Sequence, residues 1–510
     1  MLSDDILYMS VRELGSQIQA RKIRPVQLTE SYLARLEKFG PKLGAVATIT
    51  SKLALQQAKQ AEKEIDAGNY RGPLHGIPFG AKDLLATKGI KTTWGAPPFR
   101  DQVFEYDATL IRKLTDAGAI LVAKLAMIEL AGGGGYSNAS ASLQGPSRCP
   151  FNIDHWAGGS SSGPGAAVPS ALVAFAIGSE TLGSIITPSA FSGVSGLRPT
   201  YGRVSRHGAM ALSWTMDKLG PMCRTASDCG LVLAAIAGFD PLDETSVRTP
   251  YISRPARRVA PGRAALEGKR IGVIRPDFKA EGDPEVEMAF NVALETLRGL
   301  GAKLEEMELP DYPYTAIAVT LYSSEAASIF RPFIQSEKLQ QLVDESQKIG
   351  LVAALSVPAT DYLDSFRLRS QIQTDLAKMF ERFEVLVAPS RLRPAPRIDV
   401  DFNAPQKSAV EKSSDKPGGK PSDKSADKPA DKTTAKPTTT PTDTSERHSI
   451  IAASNIAGLP AISVPCGFTK ENLPVGIQFV APALADDTCI GFAHNFQNAS
   501  EWHKRRPSGF

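Results

Sequence analysis

A helix-patterned segment followed at once by a short, wholly apolar strand constrains this chain more than any other feature. In YDATLIRKLTDAGAILVAKLA, Tyr106 to Ala126, apolar residues recur at three- and four-residue spacing, Gly118 stops the helix, and Ile120 to Lys124 reads as a buried strand. The same logic recurs at Gly268 to Pro276, at a helix over Pro284 to Leu300, and at FEVLVAPS, Phe383 to Ser390. Alternation of this kind predicts an α/β sheet covered by helices on both faces. Nearer the start, Ser10 to Phe39 reads as two helices with Ser10 and Thr29 as N-caps, and LHGIPFGAKDLL begins as a short extended segment bounded by glycines.

One stretch breaks the pattern. Residues 404–447 repeat Lys, Asp, Ser, Pro and Thr with almost no apolar side chain, so they cannot bury enough surface to offset their ordering entropy. They are expected to form a disordered, low-complexity surface insertion, its Lys and Asp nearly balanced, within a single domain over residues 1–510. With 42% hydrophobic and 22% charged residues, the remainder suits a soluble globular protein. The net charge of +4 is small for 510 residues and the basic residues form no stripe, which argues against nucleic acid as a partner. Cys149, Cys223, Cys229, Cys466 and Cys489 are scattered with no CxxC pair, so neither a disulfide framework nor a zinc site is expected. MLSDDILYMS has no basic region and no long apolar run, so no membrane anchor is expected and the cytoplasm is the expected compartment.

The chemistry concentrates in GGSSSGPGAAV, Gly158 to Val168, and GSETLGSIITP, Gly178 to Pro188. Both are rich in hydroxyls, yet no histidine or carboxylate stands close by in the usual places of a hydrolase triad to take a serine's proton. A lysine kept neutral by burial can do so instead. Lys82, set among small and apolar residues in GIPFGAKDLL, suits that role better than Lys88 or Lys91, which lie in a more polar stretch. A lysine beside an aspartate is, however, usually a surface ion pair. A rival reading takes Gly159-Ser160-Ser161-Ser162-Gly163 as G-x-S-x-G, with Ser161 the nucleophile of an α/β-hydrolase esterase served by His448, His494 or His503. That motif needs a strand directly before it, and RCPFNIDHWA reads as a poor one.

GPLHGIPFGAKDLL, HWAGGSSSGPGAAV, GSETLGSIITPSAFSGVSGLRPTYGRVSRHG, NIAGLPAISVPCGF and LPVGIQFVAP together resemble the successive blocks of the amidase signature family. The resemblance implies an α/β/α sandwich with a large mixed sheet. It matches Lys82 to the family's catalytic lysine, Ser160 to a bridging serine after a cis peptide bond, and Ser184 to the nucleophile. In that relay Lys82 takes the Ser160 proton while Ser160 takes that of Ser184, and the backbone amides of Thr181, Leu182, Gly183 and Ser184 face the developing oxyanion. Gly132, Gly133, Gly134, Gly135 and Tyr136, in AGGGGYSNAS, match a stretch near the family's substrate cleft; with no following GK[ST], it is not a phosphate loop. Two departures stand out: Leu182 where the family commonly has glycine, and Ile186 where it has arginine, which removes a positive charge beside the nucleophile and counts against substrates whose carboxylate would need a local partner.

The expected activity is hydrolysis of a neutral, hydrophobic carboxamide, or of an anilide, ester or carbamate, with no metal or organic cofactor. The alternative is a glutaminase-type subunit of a tRNA-dependent amidotransferase, which GLRPTYGRVSRHG resembles and which releases ammonia for a partner. A small-molecule amide is the expected ligand, no nucleic acid or membrane is expected to bind, and a homodimer is left open. The region including Tyr322 to Phe333 matches the family poorly and leaves the substrate unnamed.

Overall fold

Along the central strands, consecutive side chains enter different cores. In β11 (Val385–Pro389), Val385 and Val387 join one apolar cluster while Leu386 and Ala388 join a second. In β6 (Phe175–Glu180), Phe175 and Ile177 join the first and Ala176 a third. The period of two therefore finds no solvent on either side, and both faces carry helices. Val11, Leu14 and Ile18 cover one face, with Leu233 and Phe496; Leu36, Ala54, Val168 and, further along, Ile372 and Ile456 cover the other.

The computed structural model describes residues 1–252, 264–402 and 449–510. The insertion expected at 404–447 lies outside them, as does His448. In chain order the remaining strands are β1 (Val46–Ile49), β2 (Pro78–Lys82), β3 (Ile120–Leu125), the β4 (Arg148–Cys149) and β5 (Asn152–Trp156) ribbon, β7 (Ser195–Arg198), β8 (Lys218–Cys223), β9 (Arg270–Ile274), β10 (Lys303–Met307), β12 (Ala461–Phe468) and β13 (Pro474–Val480). Eleven form one mixed sheet in the order β1-β3-β2-β6-β8-β7-β12-β13-β11-β9-β10. The fold is an α/β/α sandwich. Parallel pairing of β2 with both β3 and β6 sets the C-terminal end of β2 beside that of β6.

Two expectations need correction. The second N-terminal helix runs Pro25–Leu43, so Thr29 is a fully buried interior residue and not a cap. Pro25 opens that helix because its fixed φ suits a first helical position and its missing N–H would be unpaired there anyway. Ser10 does cap the first helix, Val11–Gln19, through a reciprocal pair with Glu13. RCPFNIDHWA, read as a poor strand, contains β4 and β5, but these pair with each other in a ribbon outside the large sheet, with one further bridge from His155 to Arg397.

Candidate active site

Lys82 ends β2 fully buried, surrounded by hydroxyls. Its Nζ donates to Ser160 Oγ at 2.8 Å, to Ser179 Oγ at 2.8 Å and to Ser161 Oγ at 3.1 Å. Asp83, the next residue, turns away and pairs with Lys124 at 3.1 Å. No carboxylate among the described residues pairs with Lys82. Burial pushes its pKa from 10.5 down to about 7, against an upward pull from Asp217 and Glu180 further off. Hydroxyls can hold the amine in place without cancelling an ammonium charge, so much of the lysine is neutral near pH 7.

Ser160 follows a cis peptide bond with Gly159 and is 1% exposed. Ser161 is fully buried, accepts from Lys82 and from the Ser179 amide, and donates to the Ser179 carbonyl. With its hydroxyl committed on every side and no histidine bonded to it, Ser161 does not suit the esterase reading. His494 pairs with Asn498, and neither it nor His503 bonds a serine of this site.

Ser184 is partly exposed in the short turn between β6 and the helix Ile186–Ser192. The buried carboxylate of Glu180 shapes that turn: it accepts from the Ile185 and Ile186 amides at 2.7 and 2.9 Å, where a helix start favours an anion. Arg198 at 2.8 Å and the Asn455 amide at 2.8 Å complete its partners. Burial alone would raise the Glu180 pKa, but Arg198 and Lys218 outweigh it and hold the carboxyl below its ordinary range. The amides of Thr181, Leu182, Gly183 and Ser184 donate to no group among the described residues. Gly183 has φ +84°, where a side chain would be strained, whereas Leu182 does not need a positive φ and packs against the second core. Leucine is therefore tolerated at that departure. Ser161 N donates to the Ser184 carbonyl at 3.3 Å, which ties the two serine segments together. The Ser160 and Ser184 hydroxyls are not hydrogen-bonded to each other.

Ile186, the second departure, is fully buried in the second core. The glycine-rich loop is tied down at both ends: Glu129 accepts from the Val343 and Asp344 amides, and Asp344 accepts from Ser137. Gly134 packs so closely on Gln347 that a Cβ would lie 2.1 Å from its carbonyl oxygen. Gly132 lies over the Tyr136 ring, Gly133 faces Leu212, and Gly135 has open space. A cavity of about 200 Å³, lined by Leu84, Ala131, Ser179, Thr181, Met210 and Trp214, opens on the Ser179 side of the lysine. Ser179 was missed by sequence reasoning because its role depends on how β2 and β6 align, which no motif states.

A family model described as Amidase matches residues 27–445 and 426–490. The chain belongs to the amidase family. Like the rest of the family, it is an enzyme acting on amide C–N bonds. A glutamyl-tRNA(Gln) amidotransferase subunit of Methylococcus capsulatus is 34% identical over 524 residues, covering 98% of this chain and 99% of the relative. The peptide amidase of Stenotrophomonas maltophilia is 27% identical with a TM-score of 0.76 over 98% of each chain. A bacterial aryl acylamidase, at 23% identity, TM-score 0.80 and 99% of each chain, shares the fold.

Proposed function

We propose that this amidase hydrolyses a carboxamide through an acyl-enzyme on Ser184, with Ser160 and Lys82 carrying the proton. The hydroxyl cradle around a lysine with a pKa of about 7 supports this reading most directly. Ser184 Oγ attacks the amide carbon while its proton passes to Ser160 and that of Ser160 passes to Lys82. The missing hydrogen bond between the two serines forms when the Ser184 hydroxyl turns toward Ser160; catalytic bonds of this kind often close only with substrate in place. Amides of Thr181 to Ser184 take the oxyanion. Lys82 returns a proton to the leaving amine, and water then releases the acyl group.

Of the two substrates the sequence leaves open, the relatives favour glutamine over a neutral hydrophobic carboxamide. Glutamyl-tRNA(Gln) amidotransferase subunits match 98–99% of the chain, in Methylococcus capsulatus at 34% identity and in Moorella thermoacetica at 33%. Ile186, the main argument for a neutral substrate, lies in the core and has no bearing on cleft charge. In this reading the chain is a glutaminase-type subunit releasing ammonia for a partner. Ammonia release from glutamine and from hexanamide, with Ser184→Ala as the blank, tests it. Glutamine turnover that Ser184→Ala abolishes is expected; turnover of hexanamide alone would return the reading to neutral amides.

A further inference from the structure

β6 and β8 run antiparallel, and their ladder ends at the pair Glu180 and Lys218. The next two residues in that register are Thr181, which opens the oxyanion turn, and Asp217, which comes just before β8. They are joined through side chains: Thr181 Oγ1 donates to Asp217 Oδ1 at 2.5 Å, and no backbone bond links the two. Continuing the ladder would draw backbone groups of the turn into the sheet. A side-chain bond holds the strand ends together without using them, and the Thr181 amide stays unpaired.

Asp217 is itself held firmly. Its Oδ2 accepts from the Leu212 and Ser213 amides at 2.8 and 2.9 Å, so these two and Thr181 all donate to it, which suits an ionised carboxylate. Burial pushes its pKa up, and Thr181, the two amides and Arg206 pull it back. Asp217 is partly exposed and lines the same cavity as Ser179 and Thr181, beside Leu212 and Trp214. The wall that carries it is braced from behind by Glu325, 1% exposed on the helix Tyr314–Ile329, which accepts from Ser213 Oγ at 2.5 Å and from Thr215 Oγ1 at 2.7 Å. Arg369 donates to the Thr215 carbonyl at 3.0 Å. The carboxylate that grips Thr181 therefore sits on a fixed support.

We propose that Asp217 is a positioning residue for amide hydrolysis: through Thr181 Oγ1 it holds the oxyanion turn open at the end of the β6–β8 ladder, with the turn's amides free to take the developing charge. The inference rests on the amidase reading above, in which Ser184 is the nucleophile and these amides receive the oxyanion; Ser184→Ala in the same assay reads that premise separately. Losing an oxyanion donor outright costs about 10²–10³ in kcat, and loosening the turn that aims it should cost less. Thr181→Val, close in shape but without the hydroxyl, is expected to lower kcat about thirtyfold at alkaline pH, where Lys82 is neutral, with KM within about threefold. The factor should be the same for each amide the enzyme hydrolyses, because every amide forms the same oxyanion. Thr181→Ser, which restores the hydroxyl, is expected to recover most of the loss. Asp217→Asn sets an NH₂ group against a donor whichever way it turns, so it should lose about as much as Thr181→Val. With both substitutions together, kcat should stay within about threefold of the slower single variant, because both break one contact. Ammonia release from glutamine and from hexanamide by the full chain measures these rates, with denaturant unfolding as the check on folding. Unchanged kcat in Thr181→Val, a loss confined to KM, or two single losses that multiply in the double variant would overturn the proposal.

Discussion

Two fully buried lysines lie on neighbouring parallel strands, one residue out of step. Lys124 of β3 is paired in register with Ala81, so its side chain leaves the sheet on the face opposite to that of Lys82. Lys124 pairs with Asp83 at 3.1 Å and donates to Thr92 at 2.7 Å. Lys82 meets only serines. Burial lowers both pKa values, but for Lys124 a carboxylate in contact pulls back, whereas the acids acting on Lys82 stand further off. Burial alone does not mark a catalytic base; the nature of the contacting group does. A contacting carboxylate pulls a buried lysine back toward its charged form, while hydroxyls leave it free to titrate near neutrality.

Removing each lysine should therefore break different things. Lys82→Met, like Ser184→Ala, is expected to lower kcat by at least about 10⁴ with the fold retained, since members of a relay act as a unit. Lys124→Met should leave the relay chemistry in place and strand the buried Asp83 carboxylate, costing about 3–5 kcal/mol in denaturant unfolding. An active Lys82→Met protein, or a Lys124→Met protein of unchanged stability, would erase the distinction.

The pH dependence sharpens the same comparison. With the Lys82 pKa at about 7, kcat/KM should fall about tenfold per pH unit below it and level off above about pH 8. Stability follows in the same direction. Between about 7 and 10.5 the unfolded chain still holds the Lys82 proton that the native protein has released. Native stability therefore gains up to about 1.4 kcal/mol per pH unit from this residue across that window. Lys82→Met should lose that contribution while keeping whatever Lys124 supplies. Identical pH slopes in wild type and Lys82→Met would contradict a depressed Lys82.

What could be read from the sequence follows the length scale of the interactions. Lys82, Ser160 and Ser184 sit in local runs that carry their own signature, and the strand Ile120–Leu125 announced itself by composition. Thr29 misled because a hydroxyl before an apolar run resembles a cap, yet Pro25 had already begun the helix four residues earlier. Ile186 looked like a missing charge in a cleft because a sequence does not say which way a side chain leaves a helix; here it enters the core.

Ser179 yields the smallest expected effect and the finest test of the cradle. Its Oγ accepts from Lys82 Nζ at 2.8 Å, and an acceptor stabilises an ammonium more than a neutral amine. Taking it away disfavours the protonated form, so Ser179→Ala should lower the Lys82 pKa by about half a unit, the equivalent of less than 1 kcal/mol. The acid limb of kcat/KM then moves to lower pH, so relative to its own plateau the variant keeps more activity near pH 6 than wild type does. On the alkaline plateau, where Lys82 is neutral in both proteins, the variant should fall by less than about tenfold, because Ser160 and Ser161 still hold the amine. Full pH profiles of the two proteins with one amide decide the matter. A limb displaced to higher pH would mean that Ser179 stabilises the neutral lysine instead, and that the three hydroxyls around Lys82 are not equivalent acceptors.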